Sequence, residues 1–112
     1  MAGLFLTAPA QDGDAAAGAK VFKKCKACHY VDRKKNKSGP HLVNVVGRAA
    51  GVVEGFKYSK AMAGSGLVWD ETTLTGFLAK PKKYLKGTKM SFAGLKKESD
   101  IANVIAYLKS TK

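Results

Sequence analysis

Residues 25–29 read Cys25-Lys26-Ala27-Cys28-His29, and they hold both cysteines of the chain. Two thiols three residues apart, followed at once by an imidazole, allow four chemistries. A structural disulfide between so close a pair would restrain little of the unfolded chain. A thioredoxin-like redox pair needs a βαβ setting, and the flanking pattern supplies none. Zinc needs four ligands; Cys25, Cys28, His29 and His41 give the number but not the spacing of a common finger. Cys-x-x-Cys-His is also the attachment signature of a covalent haem. In that reading, two thiols on one helical turn reach the two vinyl groups on one porphyrin edge. The adjacent histidine then projects toward the iron. A chain lean in large apolar side chains and rich in loops favours this fourth chemistry.

A six-coordinate haem iron needs a second axial ligand, and the chain offers His41, Met1, Met62 and Met90. His41 follows Pro40 and lies too near His29 to cross easily to the opposite face. Met1 is terminal. Met62 falls in a short helical segment, where a methionine is by default core filler. Met90 lies late in a long loop, Lys86-Gly87-Thr88-Lys89-Met90-Ser91-Phe92, which has the reach to cover a far face. A neutral thioether there would favour Fe(II) and raise the potential relative to a second histidine.

The elements that must position these residues are sparse. The length, 112 residues, suits one domain. Residues 14–27 read as a helix with Asp14 as its cap, and 70–80 as another with Asp70 as cap and Pro81 as its end. The clearest helix spans 98–110, where Ile101, Val104, Ile105 and Leu108 follow helical spacing and Ser99 is a candidate cap. A short helical turn is expected at 59–64. Residues 30–57 and 81–97 read as loop, with no β-sheet in what remains. Loops this long need a job, and wrapping a large ligand is one. The expectation is an all-α domain over 11–112. Residues 1–10 read as a signal-peptide remnant, with Ala8-Pro9-Ala10 resembling a cleavage site, or as a frayed tail.

The charge is uneven. The chain carries 20 Lys+Arg against 8 Asp+Glu, a net +12, and only Arg33 and Arg48 are arginine. Lysine is a hydrated point charge on a flexible stem, suited to fast, salt-sensitive docking on an acidic surface. Scarce arginine and absent recognition motifs exclude a nucleic-acid partner. The charge also suits an anionic membrane surface as a secondary partner.

With these residues assembled, the chain resembles the class I c-type cytochromes, and among them the small bacterial cytochrome c2 group related to mitochondrial cytochrome c. The resemblance covers roughly residues 12–112. It rests on Gly18, Phe22, CKACH, Asn36-Lys37-Ser38-Gly39-Pro40, Gly47-Arg48, Gly55-Phe56-Lys57-Tyr58-Ser59, Trp69, Pro81-Lys82-Lys83-Tyr84, Gly87-Thr88-Lys89-Met90 and Ile105-Ala106-Tyr107-Leu108. It implies a class I cytochrome c fold whose helices and long loops wrap one haem c, the terminal helices crossing with Gly18 and Phe22 against Val104 and Tyr107. Cys25 and Cys28 would carry the thioethers. His29 would be the proximal ligand, oriented by the carbonyl of Pro40, and Met90 the distal one. Arg48, Tyr58, Trp69 and Thr88 match positions around the haem propionates. Leu42 and Phe92 match apolar residues that shield the ring. Lys24, Lys35, Lys37, Lys82, Lys83 and Lys89 match a docking ring around an exposed haem edge.

Two departures from the family pattern stand out. Lys86 replaces a proline common before Gly87, which should loosen the methionine loop. Phe77 replaces a tyrosine common beneath the distal methionine, so a Phe77→Tyr variant is expected to shift the reduction potential. At high pH, deprotonated Lys86 or Lys89 would compete with Met90 for iron. The resemblance implies a monomeric periplasmic electron carrier. It would run between a cytochrome bc complex and a photosynthetic reaction centre or terminal oxidase. A haem peroxidase with Met90 displaced is the competing enzyme reading; six-coordination and the lack of a distal His or Arg in that loop oppose it.

Overall fold

The computed structural model describes residues 13–111, so the leader-like residues 1–10 lie outside the described part. Five α-helices follow in order: α1 (Ala15–Val21), α2 (Lys60–Ala63), α3 (Glu71–Ala79), α4 (Pro81–Tyr84) and α5 (Glu98–Ser110), with a 3-10 turn at Phe22–Lys24 after α1. No strand forms among the described residues; two isolated bridges, His29 with Asn36 and Ala49 with Val68, pin loops together.

Helix α1 starts where expected. The Asp14 carboxylate accepts from Ala16 N–H and satisfies one orphan donor of the first turn. It ends sooner than its pattern suggests. The Phe22 N–H turns back to the carbonyls of Gly18 and Lys20, and the chain tightens into the 3-10 turn before reaching Cys25. The expected continuous helix over 14–27 is therefore a helix, a 3-10 turn and the cysteine turn.

Helix α3 is capped by Asp70, whose carboxylate accepts from Thr73 N–H at 2.8 Å. That bond holds the Asp70 carboxyl below the usual aspartate range. Pro81 ends α3 and also opens α4, at the first position of the helix, where its missing N–H costs nothing. Four residues of the expected 81–97 loop are thus helical. Ser59 caps α2 through Met62 N–H. Helix α5 matches its expected span, but Lys97 rather than Ser99 occupies the cap position, and no side chain caps it. Glu98 and Asp100 in its first turn favour that terminus through the helix dipole instead.

The frame is the crossing of α1 and α5. A Cβ on Gly18 would lie 1.9 Å from Asn103 O and 2.8 Å from Tyr107 Cβ, so only glycine permits this approach. The contact falls on Asn103 and Tyr107, while Val104 is buried in the core behind them. Asn103 Oδ1 accepts from Asp14 N–H at 2.8 Å, and the Phe22 ring tilts against Tyr107 with centroids 5.3 Å apart. The core joins Phe22, Leu74, Leu78, Ile101, Ile105 and Leu108 with Trp69 and Phe77. An ion pair between Glu71 and Lys109 ties α3 to α5 at the surface.

Candidate functional site

The attachment turn is built by backbone bonds. Both Cys28 N–H and His29 N–H donate to Cys25 O, at 3.1 and 3.0 Å. One turn therefore carries both thiols and the imidazole. Cys28 is exposed, Cys25 is half-buried against the core, and both are free thiols. Burial, with the neighbouring Cys28, pushes the Cys25 thiol up to about 11 against the pull of Lys24. No group of three His, Cys, Asp or Glu converges as a metal cluster among the described residues, which removes the zinc reading.

His29 is oriented from outside the turn. Its Nδ1 lies 2.7 Å from Pro40 O, so the proton sits on Nδ1 and Nε2 is left as the free lone pair. Burial lowers the imidazole's proton affinity, the Pro40 bond opposes this, and the charges of Arg48 and Lys37 add to the lowering. The ring is thus held neutral near pH 7, the form that ligates iron. Gly39 makes the approach feasible: a Cβ there would meet the His29 ring at 2.4 Å.

The remaining expected residues fall into two groups. Leu42, Met90 and Phe92 are partly buried against the same apolar core as Cys25. Met62 is too, so position alone does not separate the two methionines. Thr88 Oγ1 accepts from Met90 N–H at 3.4 Å and shapes the methionine loop. Trp69 is buried against Phe77, centroids 5.0 Å apart. Tyr58 packs edge-on to Phe56, and its hydroxyl accepts from Val53 N–H at 3.1 Å.

Arg48 forks to two carbonyls, Nη1 to Val43 O and Nη2 to His41 O, both at 3.0 Å. Its Nε is buried with no partner. Burial lowers the guanidinium's proton affinity and nearby Tyr58 opposes that. A buried cationic donor without an acceptor is what a haem propionate would complete. The free thiols, the oriented imidazole and this orphan donor together fit a haem.

Of the six expected docking lysines, Lys24, Lys35, Lys82, Lys83 and Lys89 are exposed with no ion-pair partner among the described residues. Lys37 is exposed and without an ion pair too, but its Nζ donates to Lys26 O at 2.7 Å. One positioning residue went unassigned by sequence reasoning. Asn36 donates to Glu54 O at 3.3 Å and accepts from His41 N–H at 3.0 Å, tying together distant parts of the 30–57 loop. Its place beside Gly39-Pro40 marked the segment but gave no hint of these partners.

The cytochrome c family model matches residues 15–112. Cytochrome c2 iso-2 of Magnetospirillum fulvum is 58% identical over 90 residues, 80% of this chain and 94% of that protein. Cytochrome c type-1 of Ascaris suum is 50% identical over 98 residues, 87% of this chain and 88% of its own. Among solved structures, cytochrome cH from Methylobacterium extorquens superposes with a TM-score of 0.84 at 48% identity, covering 88% of this chain and 99% of that one.

Proposed function

The chain belongs to the cytochrome c family, and from that premise we propose a diffusible bacterial carrier that holds its haem iron between His29 and Met90. It carries haem c through Cys25 and Cys28 and is an electron carrier rather than an enzyme. The haem supplies the reversible Fe(III)/Fe(II) couple.

The observation that carries the ligand reading is the His29 geometry. An imidazole bonded through Nδ1 to Pro40 O, on the turn that bears both thiols, offers only Nε2. Met90 is the opposite partner in this reading because Gly87-Thr88-Lys89-Met90 matches the family pattern and its long loop has the reach to cover the far haem face. A thioether there stabilises the reduced iron. Arg48 offers a cation and a spare donor to a propionate, and Trp69, Tyr58 and Thr88 match the family positions beside it.

Lys24, Lys35, Lys37, Lys82, Lys83 and Lys89 form the docking charge that steers the carrier onto acidic faces of redox proteins. In the cytochrome c2 group these partners would be a cytochrome bc complex as donor and a reaction centre or terminal oxidase as acceptor. The carrier would work as a monomer in the periplasm.

The test is the holoprotein's iron–sulfur charge-transfer band in the ferric state. Met90→Ala is expected to abolish it and to lower the reduction potential by roughly 100 mV or more, within the ~0.8 V span that axial ligands command. Met62→Ala is expected to keep both. Loss of the band in Met62→Ala with retention in Met90→Ala would reverse the assignment.

A further inference from the structure

The segment 37–40 grips the attachment turn at three points. Gly39 N–H donates to Cys28 O at 2.8 Å, and Pro40 O accepts from His29 Nδ1 at 2.7 Å. The third bond runs from Lys37 Nζ to Lys26 O at 2.7 Å. The first two use the backbone of the gripping segment. Only the third depends on a gripping side chain.

Lys37 is held as well as holding. Its ammonium lies 4.3 Å from the centroid of the Tyr30 ring, within cation–π range. Its own N–H donates to Gly39 O at 2.9 Å, closing the turn that presents Pro40 O to the imidazole. A free docking lysine keeps its rotamers open until encounter. This one has already given them up for a charge-assisted bond and an aromatic face. Lys26 lies between the two cysteines, so fixing its carbonyl restrains the turn whose Cys25 O accepts from His29 N–H.

We propose that Lys37 is a positioning residue for His29: it braces the Cys25–His29 turn against the 37–40 segment. The significance of that brace for an iron ligand rests on the function proposed above.

The experiment follows the His29 Nδ1 proton of the reduced holoprotein by NMR, alongside electron transfer to an acidic redox protein at several salt concentrations. Lys37→Met keeps the stem length and removes the donor; its Nδ1 proton should exchange about tenfold faster than wild type, as expected for losing one net hydrogen bond. Lys37→Arg, which retains donors, should restore exchange to within about twofold. Lys35→Met removes a neighbouring charge; it should flatten the salt dependence and leave the proton alone. Should Lys37→Met fail to mature, Tyr30→Leu removes the aromatic platform and should shift exchange in the same direction. Wild-type exchange in Lys37→Met or in its substitute Tyr30→Leu overturns the brace. So does a proton exchange accelerated by Lys35→Met as much as by Lys37→Met, which would make loss of charge alone the cause. Absence of electron transfer in every protein, wild type included, would sink the carrier reading, while the proton exchange would still decide the brace.

Discussion

Arg48 concentrates the energetics of the site in one side chain. Two of its nitrogens satisfy the carbonyls of His41 and Val43, and its backbone pairs with Trp69, whose N–H donates to Arg48 O at 2.9 Å. Removing the fork leaves two part-buried carbonyls without a donor, and each such loss costs about 1–3 kcal/mol. Arg48→Met should therefore lower the unfolding free energy of the holoprotein by about 2–4 kcal/mol, read from denaturant midpoints. It should also lower the reduction potential, because a buried cation disfavours Fe(III) and its removal relieves that. Arg48→Lys separates the effects: the charge stays and keeps most of the potential, while one ammonium cannot replace a two-pronged fork. Equal potentials in wild type and Arg48→Met would show that the cation does not act on the iron. The resemblance placed Arg48 at the site from Gly47-Arg48 alone. Its carbonyl partners and orphan Nε were not legible, since they depend on how the 41–48 loop doubles back.

At the scale of elements, the α1–α5 crossing sets where the attachment turn emerges. Gly18 is its pivot. A methyl there would sit 1.9 Å from Asn103 O, and that neighbour is backbone rather than a side chain that can swing away. Gly18→Ala must therefore push the helices apart and weaken the Phe22–Tyr107 contact. The expected cost is about 3 kcal/mol or more, the upper end for overpacking, seen as a thermal midpoint lowered by roughly 10 °C or more. A midpoint within about 2 °C of wild type would mean that α1 can slide without loss. The crossing itself was legible, because α5 has strong helical spacing and Gly18 with Phe22 belongs to the resemblance. Helix ends were less so. Nothing in Val21-Phe22-Lys23-Lys24 breaks a helix by propensity, yet tertiary packing tightens it into a 3-10 turn. The four residues of α4 are too short for periodicity to reveal, and α5 begins without the side-chain cap that Ser99 suggested.

At the scale of the whole molecule, the question is whether net charge or its placement governs encounter. A carrier of +12 is attracted to any acidic partner, but a uniform field brings no preferred face. The lysines of α4 and the following loop give placement: Lys82, Lys83 and Lys89 are exposed on the segment that leads to Met90. Steering by such a cluster raises association rates at low salt and fades once the Debye length falls below a few ångströms, near 1 M. Reversing Lys82 and Lys83 to glutamate should cut the bimolecular rate constant with an acidic redox partner by roughly tenfold at low salt and by less than about twofold near 1 M. The same reversal at Lys57 and Lys60, outside the proposed ring, changes the net charge identically and should cost about threefold or less. Equal losses from the two pairs would mean that the monopole alone steers the protein and that the ring has no local role. A larger loss confined to Lys82 and Lys83 makes the edge beside the methionine loop the face through which the electron leaves.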